Sequence, residues 1–171
     1  MRLLPEALAR AIDACRRALD ERPWETPPPA LSDAVMRELG ERATRLVLLS
    51  AQSVVPMWID AHPDDEDALS LLDDLAEGTS AHRHLRDALE REVPVRDPAY
   101  TALRALLLAH DLGTGREVIA ETTSLPDLCA YAWLDARPEL VPAARSHEPP
   151  TRAEAWFRWW LDEAVPSAWQ G

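Results

Sequence analysis

Apolar residues in this chain return at steps of three and four, segment after segment, and nowhere alternate at step two for long enough to make a strand. That periodicity commits the chain to helices, because a row repeating every three to four residues lines one face of a helix but scatters over both faces of a sheet. Leu4, Leu8, Ile12, Cys15 and Leu19 form the first such stripe, and the proline-rich stretch 23–29 ends it. A second helix is expected to open at Ser32 and Asp33, both good N-cap residues. It carries Val35, Leu39, Arg42, Leu46, Leu49 and Val54 and is expected to be the most buried element. Pro56 has no amide hydrogen to bond back to Gln52, which predicts a kink, then a last turn holding Trp58 that closes before His62 and Pro63.

Carboxylates at Asp64, Asp65, Glu66 and Asp67 then crowd the first turn of a third helix, where the helix dipole favours them, and Gly78 closes it. A fourth helix is expected over 80–92, and a fifth from Asp97 and Pro98 to Gly113. After a short helical piece at 117–121, Ser124-Leu125-Pro126-Asp127 marks another start, with Asp127 where a capping box places its acid. Pro138 and Pro142 interrupt the chain again. Thr151-Arg152-Ala153-Glu154 is a full capping box and launches a helix bearing Trp156, Trp159 and Trp160, expected to end near Pro166. With no hairpin dipeptide, fixed-length repeat or low-complexity linker, the pattern predicts one all-α domain over residues 1–171, a bundle of about six to eight helices.

A chain of 171 residues is long enough to bury one core without a staple. Leu and Ala dominate its 47% hydrophobic content, which favours helix. Cys15 and Cys129 lie far apart with no Cys-x-x-Cys partner, so neither a disulfide framework nor a zinc knuckle is indicated, and both are expected to pack as small hydrophobes. Charges at Glu6, Arg10 and Asp13 break up any signal-peptide apolar region. The longest uncharged stretch, 46–59, is shorter than the roughly 20 residues of a membrane span. The expected location is cytoplasmic.

Motifs that carry chemistry are missing from the sequence. Of the five histidines, His62, His82, His84, His110 and His147, only His82 and His84 are close, and a spacing of two puts them on opposed faces of a helix. Gly113-Thr114-Gly115 lacks the preceding strand, third glycine and lysine of a phosphate loop and reads as a helix-ending turn. Cys15 sits on an apolar stripe, a poor place for a nucleophile that must be exposed and activated. The expectation is a protein with no catalytic residues, no metal and no cofactor.

Charge is more informative. The formal net charge is −12 and the pI about 4.8, which opposes direct binding of nucleic acid and steers in a basic protein partner. Every cation is arginine, and residues 60–77 hold eight acids and no arginine. On a helix, Ala68, Leu71, Leu72 and Leu75 would face inward and leave Asp67, Asp73, Asp74 and Glu77 along the outer stripe. Together with Asp64 and Asp65, these are the candidate partner-binding residues. Trp169, beyond Pro166, is either folded back on the core or presented as an interface anchor.

Two blocks carry a resemblance: Val54-Val55-Pro56-Met57-Trp58 followed by His62-Pro63-Asp64-Asp65, and the run Ala155-Trp156-Phe157-Arg158-Trp159-Trp160-Leu161-Asp162-Glu163-Ala164-Val165-Pro166. Together they resemble the Imm5-like family of bacterial immunity proteins. The resemblance implies an α-helical protein encoded beside a polymorphic toxin, which it neutralises by binding and without catalysis. A basic, nuclease-like toxin domain would suit the acidic stripe. Two rivals stand beside this: a helical scaffold or adaptor, and a helical enzyme whose site is assembled from dispersed groups such as His62 and His110 with nearby carboxylates.

Overall fold

The computed structural model describes residues 3–22, 27–63, 70, 73, 98–113, 124–134 and 152–171. The helices expected over 64–92 and 117–121 and the breaks at Pro138 and Pro142 lie outside these residues, apart from Ser70 and Asp73, which are helical. The fold is all-α, with no strand among the described residues.

Helix α1 (Glu6–Glu21) buries Leu8, Ile12, Cys15 and Leu19, the stripe its spacing predicts. Helix α2 (Pro29–Leu39) begins three residues before the expected caps. Pro29 stands at its first position, where a fixed φ is already helical and no amide partner is needed. The Ser32 hydroxyl donates to the Pro29 carbonyl at 2.9 Å instead of capping.

The long second helix expected through Val54 is in fact two helices. Gly40 adopts φ 57° and ψ −127°, a conformation that a Cβ disfavours, and ends α2. A 3₁₀ turn (Gly40–Arg42) then leads into α3 (Ala43–Ala61). Helix α3 stays α-helical across Pro56. Gln52 and Pro56 both lie on its solvent side, where water can take the carbonyl that Pro56 leaves without a donor.

Helix α4 (Pro98–Gly113) keeps the predicted limits. At α5 (Leu125–Leu134) the capping signal is realised: the Asp127 amide donates to Ser124 Oγ at 3.3 Å, and that hydroxyl donates to the Asp127 carboxylate at 2.6 Å. Helix α6 (Arg152–Trp159) begins as expected but does not stop near Pro166. It widens into a π turn (Trp160–Ala164) and continues as α7 (Val165–Gln170). In that turn the Val165 amide reaches the Trp160 carbonyl, five residues back. The wider turn relieves the clash that an α-helix would impose between the Pro166 ring and the carbonyl four residues before it, so the proline is absorbed.

Helix α3 is the hub. It packs most extensively on α4, then on α5 and on the π turn and α7, while α2 meets its side. Helix α4 packs on α5, α5 on α6, and α1 on α2 and the π turn. Helices α4 and α5 are buried around most of their circumference, from Ala99, Ala102 and Leu103 to Leu128, Cys129 and Trp133. Among the described residues no helix is long and apolar enough to cross a membrane.

Gly40 tests the break between α2 and α3. Nothing lies within 4 Å of a Cβ built on it, so the cost of Gly40→Ala falls on the backbone alone. We expect a loss of about 1–3 kcal/mol in urea unfolding with little change in helix content.

Candidate functional site

The C-terminal helix is joined to α3 by a polar seam. Trp160, fully buried, donates its indole N–H to Ser50 Oγ at 3.0 Å, and one turn earlier Trp156 donates to Ser53 Oγ at 2.8 Å. Both serines turn their hydroxyl protons back into α3, Ser50 to the Leu46 carbonyl at 2.8 Å and Ser53 to the Ser50 carbonyl at 2.6 Å. The Cys129 thiol of α5 also donates to the Ser50 carbonyl, at 3.6 Å. Around the seam Trp156 stacks on Trp160 at 6.1 Å, and Phe157 meets each of them edge to face. Three elements therefore converge on one turn of α3, and the tryptophans at helical spacing serve the core.

Trp169 is folded back. Its indole N–H donates to the Leu3 carbonyl at 3.1 Å, and the Arg42 guanidinium lies 4.3 Å above its ring, a cation–π contact. Arg45 packs against Gly171, so two arginines flank the end of α7, where the helix dipole favours positive charge. The sequence placed Arg42 on a buried stripe and gave no sign of this contact.

Of the acidic candidates, Asp73 is helical and exposed, while Asp64, Asp65, Asp67, Asp74 and Glu77 lie outside the described residues. On α1 and the C-terminal helix, among the described residues, carboxylates are engaged with arginine. Arg16 bridges Asp162 at 2.6 Å and Asp13 at 3.3 Å, and Arg158 bridges Asp20 at 2.9 Å and Glu154 at 2.8 Å. The Asp20 hydrogen bond is the chief cause holding the Arg158 guanidinium above its usual range.

The two histidines singled out for a dispersed site occupy different settings. His62 is exposed at the C-cap of α3 with its ring 4.3 Å from the Trp58 ring. His110 is 1% exposed within α4, with Nδ1 3.8 Å from the Asp111 carboxylate. His82, His84 and His147 lie outside the described residues. Among the described residues no three His, Cys, Asp or Glu side chains are grouped to hold a metal. Both cysteines are buried free thiols. Burial pushes the Cys15 thiol up to about 11, and burial, then the Asp127 charge, pushes Cys129 higher still. At neutral pH both are protonated and poorly nucleophilic.

The seam predicts a double-mutant result. Ser50→Ala leaves a buried indole N–H without an acceptor and should cost about 1–3 kcal/mol in chemical denaturation; adding Trp160→Phe should cost less than the sum of the two single changes. Cys15 predicts a pH dependence. Its folded value lies above the ordinary 9.0, so its contribution to stability is complete below pH 9 and is lost as pH rises through 11. Cys15→Ala should flatten the fall in unfolding free energy over that window.

Comparison of the chain with family models, with curated proteins and with solved structures finds no match in any of the three.

Proposed function

We propose that the protein is a cytoplasmic immunity protein that binds a basic toxin domain and blocks it by occupying its surface, without turnover. The observation that carries this is the segregation of charge. Residues 60–77 contribute eight of the acids behind a net charge of −12 and contain no arginine, and exposed Asp73 lies among them. Where the described flank sets carboxylates against arginines, as at Arg16 with Asp162 and Arg158 with Asp20, neighbouring charges cancel at short range. No arginine within 60–77 itself offsets its eight acids, and the field of so acidic a run would steer a cationic surface towards it. A nuclease domain, which needs a positive groove for phosphate, presents that surface, and an acidic protein seated in the groove would exclude the substrate. The resemblance to immunity proteins points the same way.

The test is to co-express this chain with the toxin domain encoded beside its gene and then to co-purify the two. Rescue of growth with a stable complex supports the proposal; no rescue and no complex overturns it. Reversing the charge at Asp73, Asp74 and Glu77 should weaken the complex at low salt and flatten its salt dependence, while thermal stability of the free protein stays nearly unchanged.

A further inference from the structure

We propose that α1 is a detachable element that undocks as a unit from α2 and the C-terminal helix, opening the Cys15 thiol to solvent while α3, α4 and α5 stay folded. The attachment of α1 is unlike that of the helices around the hub. Helices α4 and α5 are enclosed by apolar contacts on nearly all sides, whereas α1 rests on α2 and the π turn through the single stripe Leu8, Ile12, Cys15 and Leu19. Its bridges to the C-terminal helix are ionic and half open to water. In Arg16–Asp162 the side chains are 44% and 53% exposed, and in Arg158–Asp20 they are 41% and 63% exposed. Exposed pairs of this kind are weak and further weakened by salt. At the start of α1, among the described residues, the ties are the partly buried Leu4 against the core and one hydrogen bond from Trp169 to the Leu3 carbonyl. An element held by one stripe and screened bridges belongs to the low-stability end of a structure's local openings.

The two cysteines make this measurable in the intact chain. Cys15 reports on α1, and Cys129, bonded to the Ser50 carbonyl at the hub, reports on the core. Under native conditions, maleimide labelling mapped by mass spectrometry should modify Cys15 at least about tenfold faster than Cys129. Asp162→Asn and Asp20→Asn should each raise the Cys15 rate about two- to five-fold and leave the Cys129 rate unchanged. Glu163→Gln, the same charge change one residue along the π turn, should leave both rates alone. Labelling of both thiols at one common rate, set by global unfolding, overturns the proposal. So does a Cys15 rate that ignores Asp162→Asn and Asp20→Asn together.

Discussion

The packing of the C-terminal helix depends on two serine hydroxyls, Ser50 and Ser53, one turn apart on α3. A buried tryptophan supplies a large apolar surface but also an indole N–H that is costly to bury without an acceptor. On an apolar α3 face, the ring stack of Trp156, Phe157 and Trp160 could slide or rotate with little penalty. Two acceptors at fixed height on one helix remove that freedom. They set the C-terminal helix at one register along α3, and the register in turn places the π turn beside α1 and Trp169 beneath Arg42. Ser50 does the most, since its hydroxyl accepts the hydrogen bond from the Trp160 indole N–H while its carbonyl accepts those from Ser53 and Cys129. Trp58 and Trp133, by contrast, bury indole N–H groups without a hydrogen-bond partner among the described residues, so ring packing, which for Trp58 includes His62, orients them.

Proline shapes the rest of this architecture, and its effect depends on where the missing amide falls. Pro29 starts α2, where no partner is needed; Pro56 sits on the solvent side of α3 and leaves that helix intact; Pro166, half-buried, falls inside the continuous C-terminal helix and is accommodated by the widened turn before it. The same residue type thus begins one helix, is tolerated in a second and reshapes a third. A π turn also changes the angular phase of the residues beyond it. Val165 and Ala168 remain buried and Trp169 reaches Arg42, so the apolar face of α7 fits this shifted phase.

What could be read from the sequence divides along the same line. Local signals were legible: the α1 stripe, the Ser124–Asp127 cap, the limits of α4 and the helical spacing of Trp156 and Trp160 are each fixed by residues within a turn or two of one another. The errors arose where one residue's backbone outweighed an apolar rhythm. Leu39 and Leu46 are seven apart and keep the period across Gly40, so the stripe concealed the break. Pro166 reads as a stop only if the helix before it must be α-helical. Nothing local could reveal that Trp160 would meet Ser50, 110 positions away, or that Arg42 would lie over Trp169. Of the candidate docking residues, Asp73 and Trp169 fall within the described structure, and charge patterning rather than geometry defines the acidic set.

The position of Trp169 bears on how a partner would be held. Both an N–H and a ring face of this residue already have intramolecular partners, Leu3 and Arg42, so presenting it to another protein would first break these contacts. An interface anchor gains most when the free protein already displays it, because reorganisation subtracts from the binding free energy. Acidic side chains face a smaller barrier: an exposed carboxylate such as Asp73 needs no repacking to meet a cation. Under the proposed function, long-range attraction to the 60–77 run would therefore act first and dominate the association rate, as electrostatic steering does in general. Any contribution from Trp169 would come later, once contact had loosened the N-terminal segment it holds. On this ordering, truncating Trp169 affects mainly the dissociation rate and the stability of the free protein, whereas charge changes at 60–77 act on the association rate.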